Sequence, residues 1–187
     1  MHGGRVEDRT AGARFEATVL PHLDAAYNLA RWLTRDAHAA EDLVQEAYLR
    51  AFKFFGSFRG GDGKAWVLAI VRNACFSWLK QRVNEEQHAP FDEEIHSPDI
   101  HQSAEGQTAS ANPEMSAARS STAERVHEAL ERLPAEYREA VVLRELEGLS
   151  YKEIATIAQV PIGTVMSRLA RARTQLRKQL IAEREGV

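Results

Sequence analysis

Apolar residues recur at three- and four-residue steps through most of the first 83 positions. Phe15, Val19, Leu23, Ala26, Tyr27, Ala30 and Leu33 fall on one face of a predicted helix. Asp36 is a good N-cap for a second helix that buries Leu43, Val44, Ala47, Ala51 and Phe55. The run GSFRGGDGK then breaks the period as a glycine-rich loop. A third helix, from about Lys64 to Val83, is apolar over much of its circumference and is expected at the centre of its domain. In so apolar a helix Trp66 and Trp78 read as core aromatics rather than as exposed stacking platforms.

The period disappears from Asn84 to about Ser121. Glu, Asp, Ser, Ala and Gln dominate there, with prolines at Pro90, Pro98 and Pro113. Such a stretch buries too little apolar surface to offset the entropy of ordering, and it reads as a flexible acidic linker. Its histidines, His88, His96 and His101, lack the spacing of a metal ligand set and read as solvated. Helical period returns with Val126, Ala129, Leu130 and Leu133. Pro134 suits the start of the next helix and Glu136 its first turn. Gly148 supplies a stop, and Ser150 with Glu153 forms a capping box for a helix burying Ile154, Ile157 and Ala158. Ala155 is small enough for a close helix crossing, and Pro161 opens the last helix. The expected fold is all-α: a tail (1–12), a helical domain (13–83), the linker (84–121) and a second helical domain (122–187).

Charge changes this picture through its distribution. The net charge of −3 over 187 residues argues against nucleic acid, but nine acids and one base lie between Glu85 and Glu124, whereas six bases and one acid lie between Thr164 and Arg184. Exposed charges more than about 10 Å apart are screened, so a local basic patch decides phosphate attraction. The single cysteine, Cys75, excludes an intramolecular disulfide framework and fits a reducing cytoplasm; lying in a helix with no activating histidine, it reads as buried and inert. No apolar run approaches the roughly 20 residues of a membrane span, and the polar N-terminus lacks the apolar stretch of a signal peptide. No catalytic signature is present: no phosphate-binding glycine motif followed by Lys-Ser/Thr, no HExxH and no nucleophile elbow. A cytoplasmic, non-enzymatic protein is expected, with no metal and no cofactor.

The final helix carries the chemistry. At 100° per residue, Ile162, Val165, Leu169, Leu176 and Leu180 form a narrow apolar stripe, with Gly163, Thr164, Ser167, Arg171, Thr174 and Lys178 roughly opposite. Many basic amphipathic helices are merely solvated. Here the exposed face has no acids of its own to pair with the arginines, and its first turn exposes small residues that let phosphates approach. Both features favour DNA contact.

The block from Leu133 to Leu180, through LPAEYREAVVLRELEGLSYKEIA and PIGTVMSRLARAR, resembles the C-terminal domain of extracytoplasmic-function (ECF) sigma factors of the bacterial sigma-70 family. AEDLVQEAYLRAF (Ala40 to Phe52), SFRGG (Ser57 to Gly61) and AWVLAIVRNA (Ala65 to Ala74) resemble the same family's N-terminal domain, in the expected order. The resemblance implies a sigma region 2-like helical bundle and a sigma region 4-like helix-turn-helix. It implies that Thr164, Met166, Ser167, Arg168, Ala170 and Arg171 address the −35 promoter element, with Met166, Ser167, Ala170 and Arg171 facing bases. Met166 stands where the family often has a basic residue. The loop residues Arg59, Gly60, Gly61 and Asp62, with Arg72, Asn73, Ser77 and Lys80 of the third helix, would handle the −10 element; Ala69 stands where arginine is common. Asp42, Gln45, Glu46, Leu49 and Arg50 would dock on the β′ clamp coiled coil of core RNA polymerase, the C-terminal domain on its β subunit. An anti-sigma factor is a further expected partner.

The linker passes a test of reach. Promoter elements about 50–60 Å apart are within range of a segment averaging about 35 Å as a free coil and exceeding about 100 Å when extended. Its acidic run (Asp92, Glu93, Glu94, Asp99, Glu105) suits a positively charged channel of polymerase, or serves only solubility. A one-component helix-turn-helix regulator, with residues 13–83 sensing or dimerising, is the alternative; it would bind promoters without polymerase.

Overall fold

The computed structural model describes residues 4–88 and 113–185, with side chains described for 12–85 and 122–182, and every regular element among them is helical. The first half comprises α1 (Gly4–Val19), α2 (Leu23–Thr34), α3 (Ala37–Phe54) and α4 (Gly63–His88). The second half comprises α5 (Pro113–Glu131), α6 (Ala135–Val141), α7 (Tyr151–Ala158) and α8 (Ile162–Glu185). Helix α1 thus begins within the stretch read as a tail, and α4 and α5 take in both ends of the stretch read as linker. The linker's acidic run, with His96 and His101, lies outside the described residues.

One expected helix is two. Proline lacks an amide hydrogen and its ring clashes with the carbonyl four residues back, so α1 gives way at Pro21 to a 3-10 turn, Leu20–His22. Val19 stays in the core, but Leu20 and Leu23 turn outward and are each 45% exposed, so Leu23 is not a core residue. Arg35, at φ 59°, closes α2 in the left-handed region. The Asp36 carboxylate then caps α3 as expected, accepting the Ala39 amide at 3.0 Å. Helix α4 is fully buried at Val67, Leu68, Val71 and Cys75 and packs on both α2 and α3. Its first residue, Gly63, lies so close to α1 that a Cβ there would overlap the Thr18 carbonyl oxygen.

In the second half, α6 widens into a single π turn, Val142–Leu146, closed by the Glu147 amide on the Val142 carbonyl at 3.1 Å. The Ser150–Glu153 capping box forms in both directions. Helix α8 buries Val165, Leu169 and Ala172; Ile162, at its first position, is half exposed and drops out of the expected stripe.

The halves are not held apart. Leu29, Leu33, Leu68 and Val71 share one core with Val142, Leu143, Ile154 and Ile157. Helix α2 packs on α6, and α4 on α7. Sequence pattern marks Leu33, Ile154 and Ile157 as buried but cannot say against what, because an apolar stripe has no address.

Candidate nucleic-acid interface

On α8, Met166, Ser167, Ala170 and Arg171 are exposed, while Thr164 and Arg168 are half-buried. The four positions that the resemblance assigns to base contact therefore share an open surface. The Ser167 hydroxyl donates to the Thr164 carbonyl at 2.9 Å, leaving its lone pairs outward. Arg171 donates to the Tyr137 hydroxyl of α6 at 3.4 Å, a side contact that restricts the guanidinium. Acids absent from this face of α8 arrive from elsewhere in the fold. Glu145 of the π turn accepts from Arg173 at 2.8 Å, and this hydrogen bond raises the arginine's pKa. Arg168 points to Glu139 of α6, at 3.6 Å.

The loop Arg59–Asp62 is exposed. Gly60 (φ 88°) and Gly61 (φ 104°) occupy a region that side chains disfavour, so the tight turn needs glycine. The Asp62 carboxylate accepts the Lys64 amide at 2.8 Å and starts α4. Ser77 and Lys80 are exposed further along α4, but Arg72 and Asn73 are drawn partly inward. Arg72 lies over the Phe76 ring, 4.1 Å from its centroid, and its Nε donates to Glu139 at 2.7 Å. Its Nη1 donates to Asn73 Oδ1 at 3.3 Å. Trp66 is half-buried against Phe55 and Phe58, and Trp78 half-buried beneath the Arg82 guanidinium, so neither is wholly core. Cys75 is fully buried, and burial pushes its thiol up to about 12.

Glu139 is the residue that sequence reasoning missed. Only 1% exposed, it receives Arg72 on Oε1 and has Arg168 beside Oε2, which makes no hydrogen bond. Burial pushes its carboxyl above the usual range, against the pull of both arginines. A signal was available: four-residue steps place Glu139 in line with Ala135 and Leu143, on an inner helix face. Its neighbour Arg138 is also buried, donating to the carbonyls of Glu131 (2.6 Å) and, in the other half, Leu33 (3.5 Å).

On α3, Asp42, Gln45, Glu46, Leu49 and Arg50 are all exposed, Leu49 by 68%. Arg50 pairs with Glu46 at 2.6 Å. Leu49 forms one wall of an open groove of about 810 Å³ between α1, α2 and α3, with Leu20, Leu23, Tyr27 and Phe52 among its lining. The outward turn at Pro21 puts the two leucines there. Tyr48 donates to the Val19 carbonyl at 3.3 Å behind the groove, and burial, then Asp24, raises its phenol to about 12. No helix among the described residues is long and apolar enough to cross a membrane, and no group of potential metal ligands occurs among them.

Known proteins share both halves. Residues 18–84 match sigma-70 region 2 and residues 123–176 match sigma-70 region 4. The chain is 35% identical over 170 residues to the RNA polymerase sigma-H factor of Pseudomonas aeruginosa, covering 89% of this chain and 86% of that one. It is 34% identical over 173 residues to the ECF RNA polymerase sigma factor SigE of Mycolicibacterium smegmatis, covering 92% of this chain and 64% of that one. Its fold is similar to that of the sigma factor RpoE of Bartonella quintana, solved in complex with the anti-sigma factor NepR, at a TM-score of 0.70 and 32% identity over 89% of this chain and 96% of that one. With region 2 followed by region 4 along one sequence, the chain belongs to the sigma-70 family, among the ECF RNA polymerase sigma factors.

Proposed function

We propose that this chain directs core RNA polymerase to promoters by gripping polymerase with α3 and promoter DNA with α4 and α8. The single observation that carries the reading is that one chain exposes both an apolar-centred docking face around Leu49 and a base-sized face around Arg171. On α3, Leu49 packs against the β′ clamp coiled coil while Asp42, Gln45, Glu46 and Arg50 make polar contacts at its rim. The C-terminal domain rests on the β subunit. A buried apolar anchor inside a polar ring is the usual energetic centre of such a contact.

The turn at Gly60–Gly61, with Arg59 and Asp62, presents backbone and polar edges to an unpaired base of the −10 element. Arg72, Asn73, Ser77 and Lys80 follow the same strand along α4. On α8, Arg171 reads a guanine through two hydrogen bonds, worth about 1–3 kcal/mol of discrimination. Met166, Ser167 and Ala170 fit base edges by shape, and Thr164 and Arg168 address phosphates. With few long polar side chains on this face, DNA shape carries more of the −35 preference. The protein acts in the cytoplasm, without chemistry of its own. The similar sigma factor solved with an anti-sigma factor supports a partner of that kind.

The test is run-off transcription with core polymerase and a promoter library. Promoter-specific initiation is expected. Its absence at every promoter, with DNA binding by the free chain intact, would instead support a one-component regulator.

A further inference from the structure

We propose that α8 reads thymine as well as guanine: Ile162, Met166 and Ala170 form an apolar edge that packs on thymine C5-methyl groups of the −35 element. The inference rests on the −35 role assigned above to α8. Met166 is 54% and Ile162 46% exposed, and Ala170 is exposed one turn further along. Four-residue steps place the three in line, within about 80° of the helix surface at about 100° per residue. The buried face of α8, made by Val165, Leu169 and Ala172, lies to one side of this line. Gly163, Ser167 and Thr174 lie on the other side, and beyond them Arg171 and Lys178. The apolar line is thus one border of the DNA face, and Arg171 stands at the opposite border.

The edge does not serve the core. Among the described residues, neither Ile162 nor Met166 joins either apolar cluster. Arg173, which follows on the same border, is paired with Glu145 at 2.8 Å. The Ser167 and Thr174 hydroxyls donate to the Thr164 and Ala170 carbonyls at 2.9 and 3.0 Å, so these side chains offer a base no hydroxyl hydrogen.

Chemistry selects the occupant. A thioether and two hydrocarbon side chains can meet neither the acceptors of a purine edge nor the amino group of cytosine, and burying such groups unpaired is costly. Thymine alone presents a carbon group to the major groove. Seating that methyl on Met166 removes apolar surface of both partners from water, and the flexible thioether adapts to its position. Charge favours DNA over a protein surface here. From Ile162 to Lys178 the helix carries Arg168, Arg171, Arg173, Arg177 and Lys178 and no acid, which suits phosphates along a groove. Met166 and Arg171 are about 7.5 Å apart along the axis, roughly the rise of two base pairs. A thymine within about two or three pairs of the guanine read by Arg171 is the expected signature.

The test uses holoenzyme, the full chain bound to core polymerase, and a promoter selected from a pool randomised across the −35 element. Each thymine of the element is then replaced in turn by deoxyuridine, which pairs alike but lacks the methyl, and binding is measured by competition. One or two replacements are expected to weaken binding about fourfold each. Met166→Ala should weaken binding to the thymine promoter by the same factor and be indifferent to deoxyuridine at that position, as a double-mutant cycle would show. The side chain is exposed and alanine favours helix, so this variant should stay folded. Arg171→Ala should lose the guanine preference and keep the methyl dependence. An element selected without thymine, the lack of any sensitive thymine, or a methyl dependence that survives Met166→Ala overturns the proposal. If Met166→Ala instead loses core polymerase, the edge is a protein contact and the proposal falls. Should scrambling the whole element leave holoenzyme binding unchanged, the −35 role of α8 itself fails. Should scrambling matter while no deoxyuridine does, only the methyl reading fails.

Discussion

At the scale of single residues, side chains divide by what they face. Arg171 faces solvent with only the Tyr137 hydroxyl beside it, so it is available to a base. Replacing it with alanine should weaken promoter binding by the holoenzyme by about 1–3 kcal/mol and flatten the preference at one position of the −35 element, which selection from a randomised promoter pool would reveal. An unchanged preference would remove Arg171 from the reading face. Cys75 is the opposite case. With its thiol pushed up to about 12 by burial, it is overwhelmingly protonated near neutral pH. It should remain inert to a disulfide reagent in the native chain and react only on unfolding; rapid native labelling would show that α4 opens far more readily than its packing implies. Such residues were legible in the sequence because exposure and burial follow helical period. Glu139 was not, because its character depends on Arg72 and Arg168, which lie 67 and 29 positions away from it in the chain and meet it only in the fold.

At the scale of elements, the boundaries reflect local chemistry. The Asp36 cap and the Ser150–Glu153 box form as their residue types predict, because capping needs only three or four neighbouring residues. The break at Pro21 escaped the periodicity because the apolar steps run straight through it, and a proline's missing donor leaves no mark on a hydrophobic pattern. Its effect reaches the surface: Leu20 and Leu23 join Leu49 in the α1–α3 groove. Leu49→Asp should abolish association with core polymerase while leaving helicity and melting temperature nearly unchanged, since the side chain is already 68% exposed. Native polymerase binding by this variant would refute the docking role. At the N-terminus of α4, Gly63→Ala should destabilise the fold by about 1–3 kcal/mol through overpacking on the Thr18 backbone. A thermal melt reads this directly, and an unchanged midpoint would mean that α1 yields without cost.

For the whole molecule, the two halves behave as one core rather than as beads on a string. Residues from both enter the same apolar cluster, so the free chain is expected to unfold in a single calorimetric transition. Two resolved transitions would mean that the interface contributes little. Family-like motifs in each half predict a helical pair, and the linker's length allows a chain that stretches along DNA. Neither carries information on how the halves meet when DNA is absent. That depends on surface fit between α2 and α6 and between α4 and α7, a property of shapes that no one-dimensional pattern encodes.

The interface between the halves is also an intramolecular one, joined by the chain that runs from His88 to Pro113. A covalent tether keeps two partners at an effective concentration of the order of millimolar, whatever the number of molecules present. Closure therefore does not weaken on dilution. A cell holding a few dozen copies keeps the same fraction of chains with joined halves as one holding thousands.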